Sequence, residues 1–188
     1  KKYFQAIMQH FDIQPVQDCY SSADDRLKYW FKKTEYNELT HLKQTIEKIL
    51  PTDSDYHRFF ICAFSNILKS TSVWLTKSIK PQVDPEKIPA NVRAAFVDQC
   101  KLMIYANLES DLVNKSKTNI VTGNFLNEDV KNPKVDLIVT SPPYVTSYEY
   151  ADLHQLSSLW LEYASDYRDL REGSIGSLHH DYNFNKEI

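Results

Sequence analysis

Val135-Asp136-Leu137-Ile138-Val139-Thr140-Ser141-Pro142-Pro143-Tyr144 is an aliphatic run that ends in a rigid polar turn. An almost continuous aliphatic stretch of this length reads as a buried parallel strand. The two prolines fix the backbone directly after it. A strand ending in Ser-Pro-Pro-Tyr delivers a hydroxyl, two fixed carbonyls and an aromatic ring to the carboxyl edge of a sheet, where α/β enzymes place their ligands. That combination suits a flat, polar group such as a nucleobase.

Working outward, Asn119-Ile120-Val121-Thr122 followed by Gly123-Asn124 reads as a short strand and turn. After the motif, Tyr148 to Tyr163 reads as a helix with Leu153, Leu156, Leu159, Trp160 and Tyr163 on its inner side. The tail from Arg171 to Ile188, with Gly173, Gly176 and several Asn and Asp residues, reads as loop. With proline near 5% of average usage, Ser-Pro-Pro-Tyr arises by chance in a chain this size with a probability of about 10⁻³. Two bland readings stand beside the chemical one: a polyproline ligand for a partner domain, or a strand-ending turn.

Residues 136–144 resemble the catalytic block of the amino-methylating DNA methyltransferases. In that family the Ser-Pro-Pro-Tyr form goes with N4-cytosine methylation, and the Asp- or Asn-Pro-Pro-Tyr form with N6-adenine. Gly123-Asn124 resembles the Gly-Asp that precedes the block. Tyr150-Ala151-Asp152-Leu153-His154, Leu159-Trp160-Leu161 and Arg171-Glu172-Gly173-Ser174-Ile175-Gly176-Ser177 are similar to the helix and loop that follow it.

The resemblance implies a Rossmann-like α/β fold, S-adenosyl-L-methionine as cofactor, double-stranded DNA as partner, and a cognate restriction endonuclease in the same system. It implies Ser141, Pro142, Pro143 and Tyr144 as catalytic residues, with Gly123, Asn124 and Thr140 beside the cofactor. The Ser141 hydroxyl and Pro142 carbonyl are two acceptors able to orient an exocyclic amine, and Tyr144 would stack on a flipped base. An N6-adenine enzyme, or a non-catalytic module on a degenerate methyltransferase fold, are the alternatives. Tyr148, Tyr150, Asp152, Arg171 and Ser177 are weaker candidates on the substrate side. Arg171 has a phosphate as one partner and its neighbours Asp169 and Glu172 as the ordinary alternative.

The chain departs from the family in one respect. It contains only three glycines, Gly123, Gly173 and Gly176, and no Phe-x-Gly-x-Gly loop of the kind that receives the methyl donor. It also starts without Met and stops shortly after the catalytic block, so the expectation is part of a longer enzyme, inactive alone and binding cofactor weakly at best.

The preceding residues read as helical, giving a division into 1–116, a helical region, and 117–188, part of an α/β domain. Phe4 to His10 is amphipathic, and an Asp/Ser-rich joint covers Asp18 to Asp25. Leu27, Trp30 and Phe31, then Leu39, Leu42, Ile46, Ile49 and Leu50, recur at helical spacing until Pro51 stops the run. Thr52 or Ser54 can cap a helix through Phe59, Phe60, Ala63, Phe64 and Ile67. Pro81, Pro85 and Pro89 mark an exposed loop, and a third long helix runs from there to about Leu112. The aromatic stripe Trp30, Phe31, Phe59, Phe60, Phe64 and Trp74 is expected in the core.

At 188 residues, 42% hydrophobic and 25% charged, the composition is that of globular material. No apolar run is long enough to cross a bilayer and no secretory signal opens the chain, so a cytoplasmic location is expected. Cys19, Cys62 and Cys100 are odd in number and far apart, which predicts buried thiols rather than disulfides. The histidines show no ligand spacing, and no metal site is expected. A net charge of −3 is weak support for a polyanion partner, and lysine clusters such as Lys115, Lys117, Lys131 and Lys134 read more readily as solvated faces than as a DNA track, so charge leaves a DNA substrate open.

Overall fold

The computed structural model describes residues 1–78, 80–113, 119–121, 123, 136–141 and 149–171. Within these, the fold is a helical body. α1 spans Lys2–Ile13, α2 Asp25–Trp30, α3 Lys33–Ile49, α4 Asp55–Ile67, α5 Val92–Val113 and α6 Tyr150–Trp160, with short 3-10 turns at Tyr20–Ser22 and Tyr167–Arg171.

The helices start and stop where local chemistry requires. Asp24 accepts from the backbone N–H groups of Arg26 and Leu27 and so opens α2. Ser54 accepts from the N–H of His57 at 3.1 Å and opens α4. α3 closes with the Leu50 N–H on the Ile46 carbonyl, and Pro51 then offers no donor to extend it.

α3 is the spine. It buries Leu39, Leu42 and Ile46, and packs against α1, α2, α4 and α5. α1 lays Ile7, Met8 and Phe11 on it, and the His41 Nε2–H donates to the Phe11 carbonyl at 3.2 Å. α4 turns Phe60, Ala63, Phe64 and Ile67 inward, an i, i+3, i+4, i+7 stripe. α5 meets it through Val92, Phe96 and Cys100, all fully buried. Beyond Cys100 Met103 still packs against the core, while Leu102, Tyr105 and Leu108 are exposed.

The segment between α4 and α5 closes over the aromatic centre. Trp74 stacks on Trp30 with centroids 4.5 Å apart, and the Val73 N–H donates to the Trp30 carbonyl at 2.9 Å. The Lys87 ammonium folds back onto the Lys69 and Trp74 carbonyls at 2.8 and 2.7 Å. Trp30, Phe31, Phe60, Phe64 and Trp74 are buried as the sequence predicts; Phe59 is only partly so.

The expected Rossmann-like sheet is overturned. Among the described residues there is no strand, and the one β-type pairing is an isolated antiparallel bridge between Trp74 and Val83. Leu137, Ile138 and Val139 are 77, 78 and 87% exposed, and Ile120 and Val121 are 87 and 69% exposed. β-propensity expresses a fit to a pleated, half-buried surface. A run rich in it becomes a strand only when neighbouring backbone pairs with it, and no described segment pairs with these residues.

Two smaller expectations also change. Tyr163 is 73% exposed because α6 ends at Trp160 and Glu162 turns the chain with a φ of 58°. Only Cys100 is a buried thiol: Cys19 is half-buried and Cys62 exposed. The loop expected after Arg171 lies outside the described residues.

Candidate functional site

Of the sequence-predicted site, Gly123, Thr140 and Ser141 fall within the described residues, and all three are exposed. They line none of the described clefts. Asn124, Pro142, Pro143 and Tyr144 lie outside the described residues, as do Tyr148 and Ser177.

The described chain resumes at Glu149 and enters α6, which is fixed to the helical body at several points. Trp160 sits among Phe31, Tyr36 and Phe64, with ring centroids 5.6, 5.1 and 5.5 Å away. The hydroxyls of Ser157 and Ser65 meet at 2.8 Å across the α4–α6 contact. Just past the helix, the Lys43 ammonium contacts Glu162 at 2.6 Å. Burial works against the Lys43 charge, but Glu162 and Glu47 outweigh it and hold the ammonium pKa above its usual value.

The polar centre of this anchorage is Gln155, which is fully buried. Its Oε1 accepts from Trp30 Nε1 at 2.9 Å and from Arg26 Nε at 2.7 Å, while its Nε2 donates to the Asp152 carbonyl at 2.7 Å. A buried amide must be satisfied in this way or it costs stability. The sequence reading missed it. The signal is present all the same: Ala151, Gln155 and Ser158 stand at i, i+4 and i+7, a small and polar stripe on the inner face of α6.

Asp152 and Arg171 pair with each other. Arg171 donates through Nε and Nη2 to Asp152 Oδ1 at 3.1 and 2.7 Å, with both side chains about four-fifths buried. Arg171 therefore ties the 3-10 turn to α6 rather than pairing with Asp169. Tyr150 is partly exposed at the start of α6.

Between α2 and the 3-10 turn at Tyr167–Arg171 lies an open cleft of about 310 Å³, whose lining includes Asp24, Arg26, Leu159, Asp166, Tyr167 and Arg168. Asp166 and Arg168 pair across its mouth, and hydrogen bonds from the Arg168 guanidinium and N–H pull the Asp166 carboxyl down to about 2. The Arg26 guanidinium stands over the rings of Tyr29, Trp30 and Tyr167, 4.8, 5.3 and 5.2 Å from their centroids.

Over 162 residues the chain is 28% identical to the type II methyltransferase M.MvaI of Kocuria varians. The match covers 76% of this chain and 34% of that protein, so the chain spans about a third of the length of the relative it matches. No family model matches the chain, and no solved structure does. Because the similarity takes in about three-quarters of the chain, it reaches well beyond the residues around Ser141 into the helical body. None of the described helices is long and apolar enough to cross a membrane.

Proposed function

We propose that this chain is part of a DNA methyltransferase that acts on the exocyclic amine of a flipped base, cytosine N4, and that Thr140-Ser141-Pro142-Pro143-Tyr144 holds that amine. The observation that carries the reading is this motif in a chain similar over most of its length to a type II methyltransferase. Double-stranded DNA is then the substrate, and a restriction endonuclease of the same specificity is the expected companion.

The chemistry asked of these residues is orientation. The lone pair of a cytosine amine is delocalised into the ring, so the amine is a poor nucleophile until it is held out of plane. The Ser141 hydroxyl oxygen and the Pro142 carbonyl each accept one amine hydrogen, and the proline ring fixes where that carbonyl points. Tyr144 stacks on the base once it has left the duplex. Positioning of this kind supplies a large share of the rate in group transfer.

S-adenosyl-L-methionine supplies an electrophilic methyl group when bound. The residues described do not form its pocket: Gly123 and Thr140 are exposed and line no described cleft, and no Phe-x-Gly-x-Gly sequence occurs in the 188 residues. This chain's share of the reaction is therefore the grip on the target amine. The helical body is its support, entered through α6 nine residues after Ser141.

The test is transfer of tritium from methyl-labelled S-adenosyl-L-methionine to DNA by the full-length protein, with the labelled base identified after hydrolysis. Label in N4-methylcytosine, lost in the Ser141→Ala and Tyr144→Ala variants, is the expected result. Equal incorporation by the variants refutes the role given to the motif, and label in N6-methyladenine refutes the choice of base. No incorporation by the wild type, with the protein folded, favours a non-catalytic helical module.

A further inference from the structure

Arg26 is held in a way that its structural partners do not use up. Its Nε donates to the buried oxygen of Gln155, its plane lies among the rings of Tyr29, Trp30 and Tyr167, and it faces the cleft beside the 3-10 turn. No carboxylate among the described residues pairs with it, and its two terminal amino groups make no hydrogen bond to any of them. A long, rotamer-rich side chain fixed at its base and along its length, with a fork that no described residue occupies, is preorganised to take a pair of acceptors.

The charge around the fork selects among such pairs. Arg26 and Arg168 line the cleft together with Asp24 and Asp166, a formal balance of zero. Asp24 is engaged by the backbone at the start of α2, and Asp166 by Arg168, and both line the cleft. Their charges offset the pull of the two guanidinium groups on an incoming phosphate or carboxylate, and the chain as a whole, at −3, adds no further attraction for an anion. A neutral acceptor pair does not depend on such attraction. In DNA that pair is O6 and N7 of guanine, which lie side by side on the major-groove edge and match an end-on guanidinium.

We infer that Arg26 reads a guanine in the DNA bound by this protein, with Gln155 and Tyr167 as the residues that position its fork. This rests on the DNA substrate proposed above. It adds a specificity determinant in the helical body, more than 100 residues before Ser141 in the chain.

The experiment is selection from a random-sequence duplex pool by the full-length protein, sequencing the bound fraction for wild type, Arg26→Gln and Tyr167→Leu. Binding is then repeated over a range of salt, and thermal unfolding is followed for each protein. Wild type is expected to enrich guanine at one position. Arg26→Gln should lose roughly tenfold of that preference, with the other positions and the salt slope unchanged. Tyr167→Leu, which leaves the Gln155 bonds intact, should weaken the same preference and so guards against a folding defect in the first variant. Replacing that guanine by 7-deazaguanine should cost the wild type affinity and leave Arg26→Gln indifferent.

A guanine preference that survives in both variants overturns the inference. So does a uniform loss over all sequences with a salt slope shallower by about one, which identifies a phosphate contact. Methyl transfer on the same pool separates the two readings. Transfer without an Arg26-dependent guanine preference sinks this inference alone, whereas neither binding nor transfer by the wild type sinks the DNA substrate as well.

Discussion

Replacing Gln155 by leucine tests whether the contact between α6 and the body is held by this amide. The side chain is fully buried and gives up three hydrogen bonds: from Trp30 Nε1, from Arg26 Nε, and to the Asp152 carbonyl. Their losses are unequal. Arg26 is half-exposed and recovers its bond from water, whereas the Trp30 indole is 1% exposed and cannot. An orphaned buried donor costs about 1–3 kcal/mol. Leucine is close in size to glutamine, so little of the loss comes from a cavity. A destabilisation of about 2 kcal/mol is expected, which lowers a urea midpoint by about 1 M at a slope near 2 kcal/mol/M.

The decisive comparison is the pair Gln155→Leu with Trp30→Phe, which removes donor and acceptor together. Removing both partners is far cheaper than stranding one, so the double variant should recover about 1 kcal/mol relative to the sum of the singles. Urea unfolding followed by circular dichroism at 222 nm reads all four proteins. A Gln155→Leu cost below about 0.5 kcal/mol, or strict additivity in the double variant, refutes the reasoning.

Ser54→Ala removes the side-chain acceptor of the His57 N–H and should cost about 1 kcal/mol in the same assay, with Ser54→Gly milder by comparison. Phe64→Ala empties a site with no exposure between Trp160 and the α4 face; a loss of about 3–5 kcal/mol is expected, and a value near 1 would mean that the core closes around the gap. Burial pushes the Cys100 thiol up to about 12, so between pH 9 and 12 the unfolded chain is ionised there while the folded one is not. Stability should therefore fall as pH rises above 9, and the Cys100→Ala variant should show a flatter decline in unfolding free energy. In the native protein at pH 8, iodoacetamide should modify exposed Cys62 and spare Cys100 until denaturant is added, as peptide mass mapping will show.

The helical half was legible because its signals are local. Pro51 and Ser54 punctuate α3 and α4, and the apolar spacing from Leu39 to Ile67 declares which faces go inward. α2 shows in the spacing of Leu27, Trp30 and Phe31, while its start at Asp25, capped by Asp24, falls inside what reads as an Asp/Ser-rich joint. The aliphatic run at Leu137 to Val139 misled because strand formation is decided by what lies alongside, and composition carries no information about that. Cys62 was misjudged for a related reason: a small apolar residue on a helix follows the face it occupies, and its position is one step off the stripe of Phe60, Ala63 and Phe64. At the site, Ser141 was visible as chemistry. Gln155 and Arg26 were not, because their meaning lies in a contact across 129 residues of sequence.

The Gln155 amide also fixes an angle. Successive residues of a helix differ in direction by about 100°, so a slip of one residue along α6 would carry the amide away from the indole of Trp30 altogether. The helix can occupy one rotational setting about its own axis and no neighbouring one. The direction in which its first residue, Tyr150, opens the helix is thereby set by an aromatic residue at position 30. A substitution at Trp30 should thus be felt as a change of aim at the far end of α6, separate from any loss of stability.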